Sequence, residues 1–277
     1  MNPTRRITMP GPELEPRVIA VPTQALHRHV TLPAGATLLD SISAALGPCE
    51  GAMLHLSGGA FGPFHYVIPS LSATPDYAAF YSDVRTPKGA TRLDAARVTY
   101  GSRDGKPWLH CHGFWAESSG RAGGGHVIPD QTIIAEAITA EAWLLDGAAF
   151  VTRHDPETNF TLLGPEPITA NGNCLAIRLR PNQDLCTTLE QLCATRGIRR
   201  AAIRGGVASI IGAVFDDGRV AEPFATEIFI RHGDVTPERA MIEIGLVNYL
   251  GELFEGRLLR GANPVLMTAE LLLQPLG

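Results

Sequence analysis

No stretch of this 277-residue sequence stays apolar for the roughly 20 residues that a bilayer-spanning helix needs. No membrane partner is therefore expected. Basic charge is scarce too. There are 23 Lys and Arg against 28 Asp and Glu, a formal net charge of −5, and no basic stripe of the kind that tracks a phosphate backbone. DNA is a disfavoured partner on that balance. Cysteine is sparse and odd in number: Cys49, Cys111, Cys174, Cys186 and Cys193 fall into no zinc-ribbon spacing. A reducing compartment is the simplest reading, and a cytoplasmic location is expected. Charged residues make up only 18% against 45% hydrophobic, which excludes a disordered chain. Arg5-Arg6 imitates a twin-arginine export signal, but Pro10, Gly11, Glu13, Glu15 and Pro16 occupy the place of the apolar segment such a signal requires. Residues 1–22 read instead as an N-terminal arm.

What the sequence does have is an internal repeat. ALHRHVTLPAGATLLDSISAALGPCEGAMLHLSGGAFGPFHY, from residue 25, and CLAIRLRPNQDLCTTLEQLCATRGIRRAAIRGGVASIIGAV, from residue 174, share one plan. Each opens with a strand-like alternation, breaks at Pro33 or Pro181, and turns helical. Thr37 with Asp40 and Asp184 are the N-cap candidates. Leu38, Leu39, Ile42 and Leu46 form one apolar face, and Leu185, Leu189, Leu192 and Cys193 the other, with Gly197 as a left-handed cap. Each helix is expected to lead into a strand that ends in a paired-glycine turn, Gly58-Gly59 or Gly205-Gly206. The later parts match as strand, turn, strand and closing strand, and share Thr-Ala-Glu at 139–141 and 268–270. The linker lies near 155–173, rich in Pro, Gly, Asn and Thr. The expectation is α+β: two tandem domains, 23–160 and 161–277, each a largely antiparallel sheet with one main flanking helix.

The chemistry-bearing residues cluster in the first copy. His110 and His112, two apart on a strand, project to one face while Cys111 points to the other. His126 follows Gly123, Gly124 and Gly125, and pairing across the Glu117–Gly120 turn brings it beside them. Three imidazoles around one point can hold Zn²⁺ and leave a fourth position open; nickel and copper accept the same donors. Glu117 is a candidate general base. His55 and His65 flank the Gly58-Gly59 turn and are candidates for the same pocket, with Phe114 and Trp108 on the histidine face and Trp115 pointing away. Each has a plainer reading: a solvent-facing histidine pair, a tight turn, a solvated carboxylate. The repeat supplies a control. Paired by eye, the three histidines match Ile242, Ile244 and Arg257, which cannot hold the same metal, so the second copy reads as structural. Glu141 and Glu270 occur in both copies, which points to a role in the fold.

The His-x-His strand, the polar turn, Gly124-Gly125-His126 and the closing strand through Thr139-Ala140-Glu141 together resemble the PPC domain, the plants-and-prokaryotes conserved domain. The resemblance spans residues 24–152 and 173–275. It implies a sheet-rich fold, homotrimeric assembly, and a metal-binding histidine cluster at His110, His112 and His126. Two copies replace the usual one. No Arg-Gly-Arg-Pro AT-hook is present, and the plant family's partner-contact segment is matched only loosely, at Arg92–Val98. The reading that follows is a metal-binding protein whose first domain binds a divalent metal, zinc first, and a small molecule, with no reaction assigned. The alternatives are a DNA-binding or regulatory protein, and a structural or partner-binding trimer without catalysis.

Overall fold

The computed structural model describes residues 5–277, the side chain of Pro223 excepted; residues 1–4 of the expected arm lie outside the described residues. The first half contains β1 (Val18–Leu32), α1 (Leu38–Leu46), β2 (Ala52–Ser57) and the two-residue strands β3 (Ala60–Phe61), β4 (Tyr66–Val67), β5 (Pro69–Ser70) and β6 (Phe80–Tyr81). It continues through β7 (Thr91–Arg103), β8 (Lys106–Ala116), β9 (Ala122–Val127), β10 (Ile134–Glu136), β11 (Ile138–Asp146), β12 (Ala148–Asp155) and β13 (Phe160–Pro167). The second half is shorter: β14 (Cys174–Leu179), α2 (Leu185–Arg196), β15 (Ala201–Val214), β16 (Val220–Val235), β17 (Ala240–Asn248), β18 (Leu253–Arg257) and β19 (Val265–Pro275).

The helices start where local chemistry says they should. Thr37 Oγ1 accepts from the Asp40 amide at 3.0 Å, and the Asp184 carboxylate accepts from the Thr187 amide at 2.8 Å. Gly197 ends α2 in the left-handed conformation with φ 67°. Leu38, Ile42 and Leu46 are buried on α1, and Leu185, Leu189 and both helical cysteines on α2.

The duplication shows in strand order. The first sheet runs β1–β11–β2–β7–β8–β9 and the second β14–β19–β15–β16–β17–β18, every pair antiparallel. β1 belongs to both: Val18–Thr23 pair with β14 and Gln24–Leu32 with β11. Residues 18–22, read from sequence as arm, are thus the first part of a shared strand.

Side-chain alternation sorts the faces. In the first sheet Leu54, Leu56, Cys111 and Ala140 bury under α1; in the second Ile228, Ile230, Ile242 and Ile244 bury under α2. The opposite faces meet each other: Met53, Trp143 and Leu145 pack with Ala176 and Leu272, and Phe114 with Val207 and Phe229. The result is four layers, helix–sheet–sheet–helix, with the sheets joined by β1.

Two sequence expectations change here. Gly205-Gly206 is no turn; it lies inside β15, because the partner sheet presses against it. A Cβ on Gly205 would stand 2.7 Å from the Met53 Cβ. Gly58-Gly59 does form the expected turn, with φ of 67° and 68°. The pairing of the histidines is also one residue off. The β8–β9 turn bonds Glu117 to Arg121 and Gly120 to Glu117, and the β17–β18 turn bonds Asn248 to Glu252 and Gly251 to Asn248 in the same pattern. Counting from there, His110, His112 and His126 correspond to Met241, Glu243 and Arg257. The cross-strand pairs agree, His112 with His126 and Glu243 with Arg257. Ile242 and Ile244 match Cys111 and Gly113 on the helix side, since a slip of one residue changes the face.

Candidate metal centre

His110 and His112 reach the face between the sheets because they alternate with Cys111, which is fully buried under α1. β9 brings His126 directly opposite His112. The glycines before it are sterically required: a Cβ on Gly124 would lie 2.6 Å from the Phe114 ring, and one on Gly125 2.4 Å from the Val67 carbonyl oxygen. His110 Nε2 and His112 Nε2 are 2.9 Å apart, and His126 Nδ1 is 3.3 Å from His112 Nε2.

The second copy completes the constellation. Glu270 on β19 lies with both oxygens 3.1 Å from His110 Nδ1. Glu227 on β16 places Oε1 3.6 Å from His112 Nε2 and 3.8 Å from His126 Nδ1. His112 Nδ1 faces the Ile228 carbonyl oxygen at 2.9 Å. These contacts assign the tautomers. A carbonyl oxygen only accepts, so His112 Nδ1 donates and its Nε2 carries a bare lone pair. His110 Nδ1 donates to the Glu270 carboxylate. His110 Nε2 thus faces the His112 lone pair at hydrogen-bond distance, with a third ring nitrogen and a carboxylate oxygen close by.

Burial sharpens the electrostatics. His112 and His126 titrate well below the ordinary histidine range, first because burial penalises the cation and then because neighbouring His110 does. Burial pushes Glu227 well above the carboxylate range, and its Oε2 has no hydrogen-bond partner. Imidazoles with second nitrogens tied to a carboxylate and a carbonyl are the usual setting of metal-ligating histidine. A tetrahedral Zn²⁺ with ligands at about 2.0–2.1 Å has neighbouring ligand atoms roughly 3.3–3.4 Å apart, close to the spacings here. The residues present fit a divalent metal.

Two cavities adjoin the cluster. One of about 50 Å³ touches His110, His112 and Glu227, with Tyr81, Phe160 and Met267 among its walls. The other, about 270 Å³, touches His110 and His126 and includes Arg103 stacked 3.7 Å from the Trp108 ring. Burial, then Glu227 and Glu270, raises the Tyr81 hydroxyl above its ordinary value, so it stays protonated.

The other sequence candidates lie elsewhere. Glu117 sits in the β8–β9 turn, where its Oε1 accepts from the Tyr66 hydroxyl at 3.2 Å. That is five residues along the strand from His112, roughly 16 Å. His65 is half-buried, with Nδ1 2.8 Å from the Gln131 carbonyl oxygen. His55 lies beside Glu141 and Trp143, and burial followed by Arg97 lowers it to about 3. Phe114 stays on the histidine face but packs edge-on to Phe229, with centroids 5.0 Å apart. Trp115 packs edge-on against Phe64 and Tyr66 in the first core.

Glu227 and Glu270 are the site residues that sequence reading missed or set aside as fold elements. A signal existed: each is a lone acid in an apolar strand, FATEIFI and MTAELLL. A buried carboxylate needs a partner.

No family model matches the chain, and no curated protein does. Solved structures resemble parts of it. A plant- and prokaryote-conserved (PPC) protein from Pyrococcus horikoshii is 17% identical with a TM-score of 0.41, covering 53% of this chain and 96% of its own. A metal-containing protein from Archaeoglobus fulgidus is 18% identical with a TM-score of 0.42, covering 52% and 97%. A protein from Ralstonia eutropha, described as a candidate DNA-binding protein, is 15% identical with a TM-score of 0.36, covering 51% and 95%.

Proposed function

We propose that the protein holds a divalent transition metal, zinc first, between its two copies, and that the adjoining cavities admit a small molecule to it. One observation carries this reading: the Nε2 atoms of His110 and His112 face each other 2.9 Å apart, with His126 Nδ1 3.3 Å from His112. Ring nitrogens that close together need a cation or a shared proton among them. His110, His112 and His126 would be ligands, and Glu227 stands on the fourth side. Zn²⁺ there would supply Lewis acidity. The chain's own groups do the rest: Glu270 and the Ile228 carbonyl hold the imidazole tautomers, and Glu227 offers a carboxylate that can take or return a proton. Phe160 and Met267 limit water. Arg103 is the cation available to an anionic ligand in the larger cavity.

The test is metal content of tag-free protein by mass spectrometry. About one zinc per chain, lost in His112→Ala, supports the reading. Absence of stoichiometric metal, with chelator leaving thermal stability unchanged, contradicts it. Duplex DNA retained more tightly than heparin would instead revive the DNA-binding alternative. The five cysteines are free thiols, which supports a reducing compartment such as the cytoplasm. Homotrimeric assembly is part of the proposal and is read by light scattering; a stable monomer contradicts it.

A further inference from the structure

A second group of metal-ligating side chains lies at the other end of the same sheet face. β1 carries His27 and His29 two residues apart, so both project to one side. Register sets Glu141 opposite His29, and His55 opposite Glu141. His27 Nε2 and His29 Nε2 stand 3.5 and 3.8 Å from Glu141 Oε1, and His55 Nδ1 is 3.8 Å from Oε2. The ligating atoms of His27, His29 and Glu141 all lie within 4.8 Å of one another. Trp143 stacks on the His27 ring with centroids 4.8 Å apart and planes 21° from parallel, and its ring also lies 4.7 Å from His55. The aromatic side chain therefore restricts the rings that would otherwise swing freely. His55 Nε2 is buried without a hydrogen-bond partner.

This group is separate from the first centre. From Glu141 to His112 the row crosses β2 and β7, three strand spacings or roughly 14 Å. One ion cannot span that distance, and the buried guanidinium of Arg97 stands between.

We propose a second, shallow site for a divalent first-row transition cation, with His27, His29 and Glu141 as ligands. Imidazole and carboxylate donors suit Ni²⁺, Cu²⁺ and Zn²⁺, whereas Mg²⁺ and Ca²⁺ call for all-oxygen sites. The side chains of His27, His29 and Glu141 are 43%, 67% and 42% exposed. Water fills the remaining positions, so this ion binds more weakly and exchanges more readily than one in the buried centre. The site depends on none of the first centre's ligands.

The experiment is calorimetric titration of the tag-free, chelator-stripped full chain with Ni²⁺. The expected result is two equivalents of unequal affinity. His27→Ala/His29→Ala removes the weaker equivalent and leaves the tighter one, while His112→Ala does the reverse. Both altered histidines of the double variant are substantially exposed, and unchanged circular dichroism checks that it folds. The inference is overturned if that variant still binds as many Ni²⁺ as the unaltered chain. If only the buried centre were misread, the unaltered chain would bind one Ni²⁺ and the double variant none.

Discussion

One hairpin position carries His110, His112 and His126 in the first copy and Met241, Glu243 and Arg257 in the second. The strand order and turn bonds around both are the same, and each helix begins at a side-chain N-cap and ends at a glycine. The fold therefore does not require the histidines. The shared Thr-Ala-Glu strand has diverged differently. Glu270 has become the hydrogen-bond partner of a histidine from the other copy, whereas Glu141 faces His27, His29 and His55 within its own. In the proposed centre the first copy supplies the imidazoles, and the second supplies the carboxylates Glu227 and Glu270. The first-copy counterpart of Glu227 is Arg92 by register, an exposed residue paired with Glu136.

The comparison breaks most severely at the join. Asp155, at the end of β12, accepts from Arg178 of β14 and from Arg180 just beyond that strand at 2.6 Å each, all three nearly buried. Removing one partner of such a group leaves uncompensated buried charge. Asp155→Ala is expected to cost about 3–5 kcal/mol, read as a lowered midpoint in chemical denaturation.

Within the centre, His112→Ala removes the nitrogen nearest to both other imidazoles. Affinity for Zn²⁺ should fall at least about 100-fold, measured by competition with a chromophoric chelator; a smaller loss would mean His112 is no ligand. Glu270→Gln keeps the shape but gives up the charge behind His110. Its expected cost is about 10–100-fold in the same assay, the range for a group that orients a ligand. That result would also establish that the second copy tunes the metal rather than only covering it. The mildest case is Met241→Ala, on the hairpin without histidines, for which zinc content and affinity should stay unchanged.

The sequence was legible wherever local rules decide. Thr37, Asp184 and Gly197 announce the helix ends, and alternation puts His110 and His112 on one face with Cys111 on the other. The register of the second hairpin was not, because MIEIGLVN offers apolar residues for either face and only the turn hydrogen bonds resolve the slip. Gly205-Gly206 looks like a turn in one dimension; the Met53 side chain that calls for a glycine comes from 152 positions away in sequence, across the layer. Glu227 is separated from His112 by more than a hundred residues, and nothing local reveals that the two sheets meet face to face. Composite sites escape sequence reading for this reason: each half is unremarkable until the other is placed against it.

The central claim is one metal ion held by both copies. Anomalous difference density collected above and below the zinc edge, on crystals grown with Zn²⁺, tests it directly. The account predicts a peak within about 2.0–2.2 Å of His110 Nε2, His112 Nε2 and His126 Nδ1, with the Glu227 carboxylate on its fourth side. Crystals containing zinc but showing no peak among these three nitrogens would contradict it.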